Sequence, residues 1–383
     1  MRTAVFSIVS PNYRHFARVL MDSVRRHHPD WDRFVLFVGD QAAPGLDGEA
    51  FTAVPLGALP LPHPRQFCFR YTILELNTAV KPWMFEYLFA RGYDRVVYFD
   101  PDIFIYSPLA ELDAAAPQTF LTLTPHLTGS IGGDEHPSER TILQAGTYNL
   151  GFLAVTRQAA LERFLGWWKE KLEFQCLFDP ARGLFVDQKW MDLAPALFPD
   201  VSILRHEGFN VAYWNLRQRS VAGANGTATV NGQPLRFFHF SGLDAARPGM
   251  VSRHDGRLRL EEIGDARQLI EDYRVALSAA GSESFREARY GFEVFADGTR
   301  VADAARVAYL HSAELQAAAG PDPFAHPELF RGLRDPLVKR VQPRTFRMLL
   351  RARPLVHWLP GPVRSALRNF MLGRRDEAPS GER

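Results

Sequence analysis

The hydrophobic positions in the first two thirds of the chain alternate between two spacings. Thr3 to Val9 is a short apolar run, Phe16, Leu20 and Val24 recur at helical spacing, and Phe34 to Val38 is apolar again before Gly39-Asp40 closes it. Short runs bounded by turn residues predict strands buried on both faces, so the chain opens as β-α-β. Residues 41–66, rich in Pro, Gly and Ala, predict a loop. Tyr71 to Leu76 and Trp83 to Phe89 predict helices, the second started by Pro82. Val96 to Phe99 predicts the next buried strand, whose carboxyl end runs into Asp100-Pro101-Asp102. Residues 125–147 predict a long polar loop of the kind that forms lids and binding loops. Gly151 to Val155 predicts a strand, and an aromatic helix carrying Trp167 and Trp168 follows. Asn231-Gly232 suits a type I′ turn, so Thr227 to Val230 and Leu235 to Phe240 predict a hairpin ending on His239. From about Leu258 the pattern is mainly helical, with a second hairpin around Asp297-Gly298. The expected boundary falls near 255–262: an α/β domain over 1–260, a helical, basic region over 261–373, and a flexible tail over 374–383.

Composition narrows the class. The 383 residues are 46% hydrophobic and 12% aromatic, globular proportions, and no apolar run approaches the ~18 residues that cross a bilayer. Disordered, collagen-like and integral membrane classes are excluded. Cys68 and Cys176 have no CxxC spacing, which argues against a disulfide framework and a finger-type zinc site and for a reducing compartment. The apolar stretch at Met1 to Val9 is too short for a secretory signal, so a cytoplasmic protein is expected. Charge changes the picture at one end only. Twelve Lys or Arg stand against Asp335 alone between Arg331 and Arg375, while the whole chain carries +2. A basic tail on an acidic body suits an anionic partner at that end.

Three groups of residues carry candidate chemistry. Asp100 and Asp102 leave a strand together, and paired carboxylates there can hold a hard cation such as Mg2+ or Mn2+. Asp30-Trp31-Asp32 repeats the spacing, but it precedes its strand, whereas open α/β sheets bind ligands beyond the carboxyl ends of strands. His239, in Phe237-Phe238-His239-Phe240-Ser241-Gly242, is either a satisfied core histidine or a third ligand. Gly242 permits close backbone approach to a phosphate, and Arg247 is a permanent cation that can pair with phosphate oxygens. Asn149 and Asp187-Gln188 form the third group, as turn residue and helix N-cap or as polar groups for sugar hydroxyls. Ser10 and Asn12 lie after the first strand, where with Ser7 and Asp40 a nucleotide base would sit.

In order and spacing, Tyr98-Phe99-Asp100-Pro101-Asp102, Asn149-Leu150-Gly151, Val186-Asp187-Gln188 and His239-Phe240-Ser241-Gly242 resemble the metal-dependent A-type glycosyltransferases. Within them the set is most similar to family 8, over roughly residues 1 to 250. The resemblance implies a Rossmann-like mixed sheet with flanking helices and a helical C-terminal extension. It implies a nucleotide-diphospho-sugar donor, a UDP-sugar favoured, and a glycan or glycolipid acceptor. Asp100, Asp102 and His239 would bind Mn2+ or Mg2+. Asn149 and Asp187 would hold the sugar, Asp100 and Gly151 would belong to the donor-binding set, Gln188 would lie beside the anomeric carbon, and Lys81 would be a cation near sugar or phosphate. The family's usual Lys-Pro-Trp six residues after the ligand histidine is missing: Ala245 stands there, and Arg247-Pro248 comes eight after.

Other classes fit less well. A sugar-1-phosphate nucleotidyltransferase needs a glycine-rich phosphate loop after the first strand, and Ser10-Pro11-Asn12-Tyr13-Arg14 lacks it. A dehydrogenase needs GxGxxG, which follows no strand here, and no nucleic-acid module is recognisable. A non-catalytic membrane-surface or polyanion-binding protein would rest on the basic tail, where apolar residues interleave with arginines. That tail also suits an enzyme docked on anionic lipid through 336–375, at the inner face of the cytoplasmic membrane.

Overall fold

The structure is a computed structural model that describes residues 1–39, 48–115, 118–132, 137–223, 227–285, 288 and 290–333. Asp40, the basic segment 336–375 and the tail 374–383 lie outside the described residues. The chain divides into two compact units, Met1–Phe67 with Ile73–Phe292, and Cys68–Thr72 with the residues from Glu293 on.

The first unit is α/β. Strands β1 (Thr3–Val9), β2 (Asp32–Phe37), β3 (Thr52–Pro55), β4 (Arg95–Phe99), β6 (Leu121–Pro125), β7 (Tyr148–Thr156) and β10 (Val201–Ile203) form one sheet in the order β10-β6-β7-β4-β1-β2-β3. The β1, β2, β3 and β4 pairings are parallel, as is β10 with β6, while β7 runs antiparallel to both neighbours. Six strands therefore end at one edge, and the reversed β7 begins there. The remaining strands are β5 (Ile103–Ile105), the short pair β8 (Phe178–Asp179) and β9 (Leu184–Phe185), β11 (Val221–Ala222), β12 (Thr229–Val230), β13 (Gln233–Pro234) and β14 (Phe237–His239).

The helices are α1 (Arg14–His27), α2 (Pro64–Arg70), α3 (Ile73–Ala79), α4 (Lys81–Phe89), α5 (Ala110–Ala115), α6 (Glu139–Ala145), α7 (Leu161–Phe174), α8 (Ala194–Leu197), α9 (Ala266–Ala279) and α10 (Ser282–Phe285). Ala17, Leu20, Met21 and Val24 of α1 recur at helical spacing and enter the core that holds Val5, Val9, Val35 and Phe99. Leu269, Ile270, Tyr273 and Leu277 of α9 join a second core with Phe238 and Phe240, which carries the first unit on to Phe292.

Several elements differ from the sequence pattern. The expected loop 41–66 contains β3, an edge strand parallel to β2 that the surrounding Pro and Gly conceal. The expected loop 125–147 contains α6, capped by the Ser138 hydroxyl, which accepts from the Thr141 N–H. The Asn231-Gly232 turn has the two positive φ angles expected, 50° and 82°, but its hairpin is only β12–β13. His239 belongs to β14, which pairs antiparallel with β5, not with the hairpin. Propensity marks a strand but not its distant partner.

The described part of the second unit is mainly helical, with α11 (Asp303–His311) and α12 (Ala313–Ala319). The Phe69 ring meets Tyr309, Phe324 and Phe330 at 4.9–5.1 Å between centroids. The turn at Asp297-Gly298 closes with Phe295 N–H donating to Thr299 O at 2.8 Å. No helix among the described residues is long and apolar enough to cross a membrane.

Candidate active site

Five segments reach one edge of the sheet, where Lys81 and Asp187-Gln188 join them. Asp100 follows β4, Ser10 follows β1 and His126 follows β6, all at strand carboxyl ends, and the reversed β7 starts there with Tyr148 and Asn149. The fifth segment is the β5–β14 ribbon: His239 faces Ile103, and Phe240 N–H donates to Asp102 O at 2.8 Å. Backbone pairing thus sets the imidazole beside the Asp-Pro-Asp turn across a separation of more than a hundred residues.

Asp100, Asp102 and His239 each offer a ligand atom, and these atoms lie within 4.8 Å of one another. His239 Nε2 is 3.0 Å from Asp102 Oδ1 and 3.8 Å from Asp100 Oδ2. Burial alone would raise the Asp102 carboxyl, but the neighbouring imidazole overrides it and holds the pKa below the usual value. Burial likewise opposes charge on His239, and the two carboxylates overcome it, so its pKa is raised. Two hard oxygens and one imidazole nitrogen form a donor set suited to Mn2+ or Mg2+. Gly151 makes the close packing possible: a Cβ there would lie 2.4 Å from His239 Cε1.

Lys81 is not a surface residue. It opens α4 yet is 1% exposed, with Nζ 2.7 Å from Asp187 Oδ2, 3.9 Å from Asp100 Oδ1 and 4.3 Å above the Tyr98 ring. It also donates to Leu150 O at 3.0 Å. The Tyr98 hydroxyl donates to Asp100 Oδ1 and so orients that carboxylate. Asp187 stands at the N-cap position of a 3-10 turn over Gln188–Leu193, but its side chain does not cap it. Burial pushes its pKa up to about 6 against the pull of Lys81. Val186, just before it, has φ 43°, a left-handed conformation that costs a β-branched residue about 1–3 kcal/mol.

Asn149 and Gln188 are bound by the protein itself. Gln188 Oε1 accepts from Leu150 N–H at 3.0 Å and from Asn149 Nδ2 at 3.2 Å, and Gln188 Nε2 donates to Ala145 O at 3.0 Å. Asn149 lies inside β7, not in a turn before it, and its Oδ1 accepts from Gly151 N–H at 3.2 Å.

The other expected residues lie as follows. Ser10 is buried and donates to Asn12 Oδ1 at 2.8 Å. Gly242 has φ 73°, and a Cβ there would lie 2.4 Å from His254 Cδ2, so its glycine serves a turn and a histidine's approach. Arg247 is largely exposed and lies 3.7 Å from Asp244 Oδ2, three residues earlier. Residues that the sequence pattern does not single out are His126, Tyr98 in the role of orienting Asp100, Trp214, whose ring meets His239 edge-on, and His254, beside Gly242. The available signal for His126 was its position just after β6, at the same strand edge as Asp100.

No family's sequence model matches the chain. YfnF, an uncharacterized protein of Bacillus subtilis (strain 168), is 33% identical over 153 residues, 39% of this chain and 50% of YfnF, so the chain spans half of that relative's length. YfnD of the same organism, also uncharacterized, is 28% identical over 252 residues, 63% of this chain and 79% of YfnD. Among solved structures, the galactosyltransferase LgtC in complex with donor and acceptor sugar analogues superposes with a TM-score of 0.41 and 16% identity, covering 72% of this chain and 95% of LgtC. The apo glycosyltransferase GlyE of Streptococcus pneumoniae gives 0.41 and 14%, covering 74% and 64%. Mouse xyloside xylosyltransferase 1 gives 0.38 and 13%, covering 62% and 97%. These likenesses are remote, and the chemistry of the site rests on this chain's own residues.

Proposed function

We propose that this protein is a metal-dependent glycosyltransferase that moves a sugar from a nucleotide-diphospho-sugar, a UDP-sugar favoured, to a glycan or glycolipid acceptor in cell-envelope polysaccharide synthesis. The observation that carries the reading is the convergence of Asp100, Asp102 and His239 beside the buried Lys81–Asp187 pair. In the reaction the bond from the anomeric carbon to the diphosphate oxygen breaks, and the acceptor oxygen bonds to that carbon. A divalent cation, when bound by Asp100, Asp102 and His239, supplies positive charge for the departing diphosphate. Lys81 adds a fixed, desolvated cation on the same side. Ser10 and Asn12 serve the nucleotide, Gly151 and Gly242 allow close approach of their neighbours, and Arg247 reaches phosphate from its exposed turn.

Asp187 and Gln188 wall the sugar position, and neither is a nucleophile in this reading. The Asp187 carboxylate is committed to Lys81, and the Gln188 amide is tied at both ends. Asn149 contributes through the residues it orients. We therefore favour front-side attack with retention of configuration, the acceptor proton passing to the departing phosphate oxygen. The segment 336–375 is proposed to dock the enzyme on anionic lipid at the inner face of the cytoplasmic membrane. Liposome sedimentation of the full chain against a chain lacking 336–383 tests that point.

The function is tested by screening nucleotide-diphospho-sugars for thermal stabilisation and slow hydrolysis, with and without Mn2+. At a hundredfold excess over Kd a true donor adds about 2.7 kcal/mol of stability. One donor should act only with Mn2+, and Asp102→Asn should abolish the effect. Stabilisation by no donor, or Mn2+-stimulated turnover unchanged in Asp102→Asn, rejects the reading.

A further inference from the structure

We infer that His126 is a positioning residue for the cation site: acting through Asn149, it holds His239 in the tautomer that aims the Nε2 lone pair at the space between Asp100 and Asp102. The inference deepens the metal-dependent reading and rests on it.

Histidine tautomers and amide orientations follow from the network around them, and here backbone groups of known polarity fix every link. Gly151 N–H can only donate, so the Asn149 atom facing it at 3.2 Å is Oδ1. Leu150 N–H can only donate, so the Gln188 atom facing it at 3.0 Å is Oε1, and Ala145 O, an acceptor, faces Nε2 at 3.0 Å. Asn149 Nδ2 therefore points at Gln188 Oε1 and, at 3.3 Å, at His126 Nε2. A donor facing that nitrogen requires it to accept, so the His126 proton is on Nδ1, which faces Thr147 O at 3.3 Å. At the other end of the same amide, Asn149 Oδ1 lies 3.2 Å from His239 Nδ1. An oxygen cannot donate, so His239 carries a proton on Nδ1, and Nε2 is the nitrogen left for a cation.

The surroundings suit a fixed relay. Both imidazoles are buried, and the Trp214 ring meets each of them edge-on with centroids 5.2 Å apart, at 67° to His126 and 86° to His239. Asn215 Nδ2 donates to His126 O at 3.1 Å and ties down the backbone. Burial pushes the His126 pKa down to about 4, so at neutral pH it is uncharged and keeps a single N–H. Without the His126 acceptor one of the contacts holding the amide is lost. Asn149 then keeps the Gly151 N–H and Gln188 Oε1, but its Oδ1 is held less firmly against His239 Nδ1, and the Nδ1–H tautomer of His239 loses part of its advantage. Partners of this kind usually change metal affinity by about 10- to 100-fold.

The test is Mn2+ titration of the purified full chain by electron paramagnetic resonance. The variants are His126→Phe, which keeps a ring without an acceptor, and His126→Gln, which keeps an acceptor. His126→Phe should weaken Mn2+ binding about tenfold at an unchanged fold, and His126→Gln should recover most of the loss. An independent readout is the 15N signature of His126 in metal-free protein at pH 7.5, which should report the Nδ1–H tautomer. Unchanged Mn2+ affinity in folded His126→Phe, or an Nε2–H tautomer at His126, overturns the inference and leaves the metal reading intact. If His126→Phe does not fold, the tautomer measurement decides. Wild-type protein that binds neither Mn2+ nor Mg2+ overturns the metal reading, and the inference with it.

Discussion

Gly151 has no room for a methyl group. Its virtual Cβ falls 2.4 Å from one His239 ring carbon and 2.8 Å from Asn149 Oδ1, so Gly151→Ala must displace the imidazole, the amide, or both. Overpacking of this kind costs about 1–3 kcal/mol, and Mn2+ affinity should fall more than tenfold. Thermal melts and a Mn2+ titration check both. Lys81 and Asp187 call for a double-mutant cycle. Both side chains are 2% exposed, so Lys81→Met strands a buried carboxylate and should cost about 3–5 kcal/mol, while Lys81→Met with Asp187→Asn should recover part of that. Denaturant unfolding of the three variants measures the difference. Additive losses would show that the pair is not coupled.

The elements that matter most to the site are short or reversed. β5 and β14 are three residues each, yet Phe237, Ile103 and Ile105 face one core and Phe238 and Phe240 another, so the ribbon is pinned from both sides. That pinning, more than the few hydrogen bonds of a short strand pair, holds His239 in register. α1 packs on the same first core. Leu20 is fully buried there, and Leu20→Ala should lower stability by about 2–5 kcal/mol in denaturant unfolding. Mn2+ affinity of the folded fraction should change far less than in Gly151→Ala, because Leu20 is not a ligand and the ribbon keeps its other contacts in both cores.

At the scale of the whole molecule, buried histidines among the described residues weaken the fold toward acid. His15, His28 and His126 all have pKa values pushed down to about 4, in each case by burial above all. His28 Nε2 accepts the Leu109 N–H at 3.1 Å, and a proton there would break that bond. Each group binds a proton in the unfolded chain from about pH 6.5 downward but not in the folded chain until about pH 4. The unfolded state then holds more protons, so stability is present above pH 6.5 and is lost as pH falls toward 4. His239 and Asp187, whose pKa values are raised, work in the opposite sense and offset part of this loss. The melting midpoint should fall between pH 7 and 4.5, and His28→Gln, which keeps an acceptor but does not titrate, should flatten that slope. An identical slope would place the acid response elsewhere.

Residue type and local order made much of this protein legible. The strands β1, β2 and β4 follow from short runs of Val, Phe and Ile, and Asp100-Pro101-Asp102 is visible as paired carboxylates because it lies next to the strand that delivers it. The Asn231-Gly232 turn is equally local, since its two positive φ angles depend on those residues alone. What the sequence could not specify is which distant groups meet. The pairing of β14 with β5, the burial of Lys81 against Asp187 and the alignment of His126, Asn149 and His239 all depend on segments far apart in the chain. Such contacts are selected by the reversed β7 and by the two cores closing on either side of one ribbon. The physical reason is range: a side chain's charge and hydrogen-bonding capacity are its own, but its solvation and its partners belong to the packed whole.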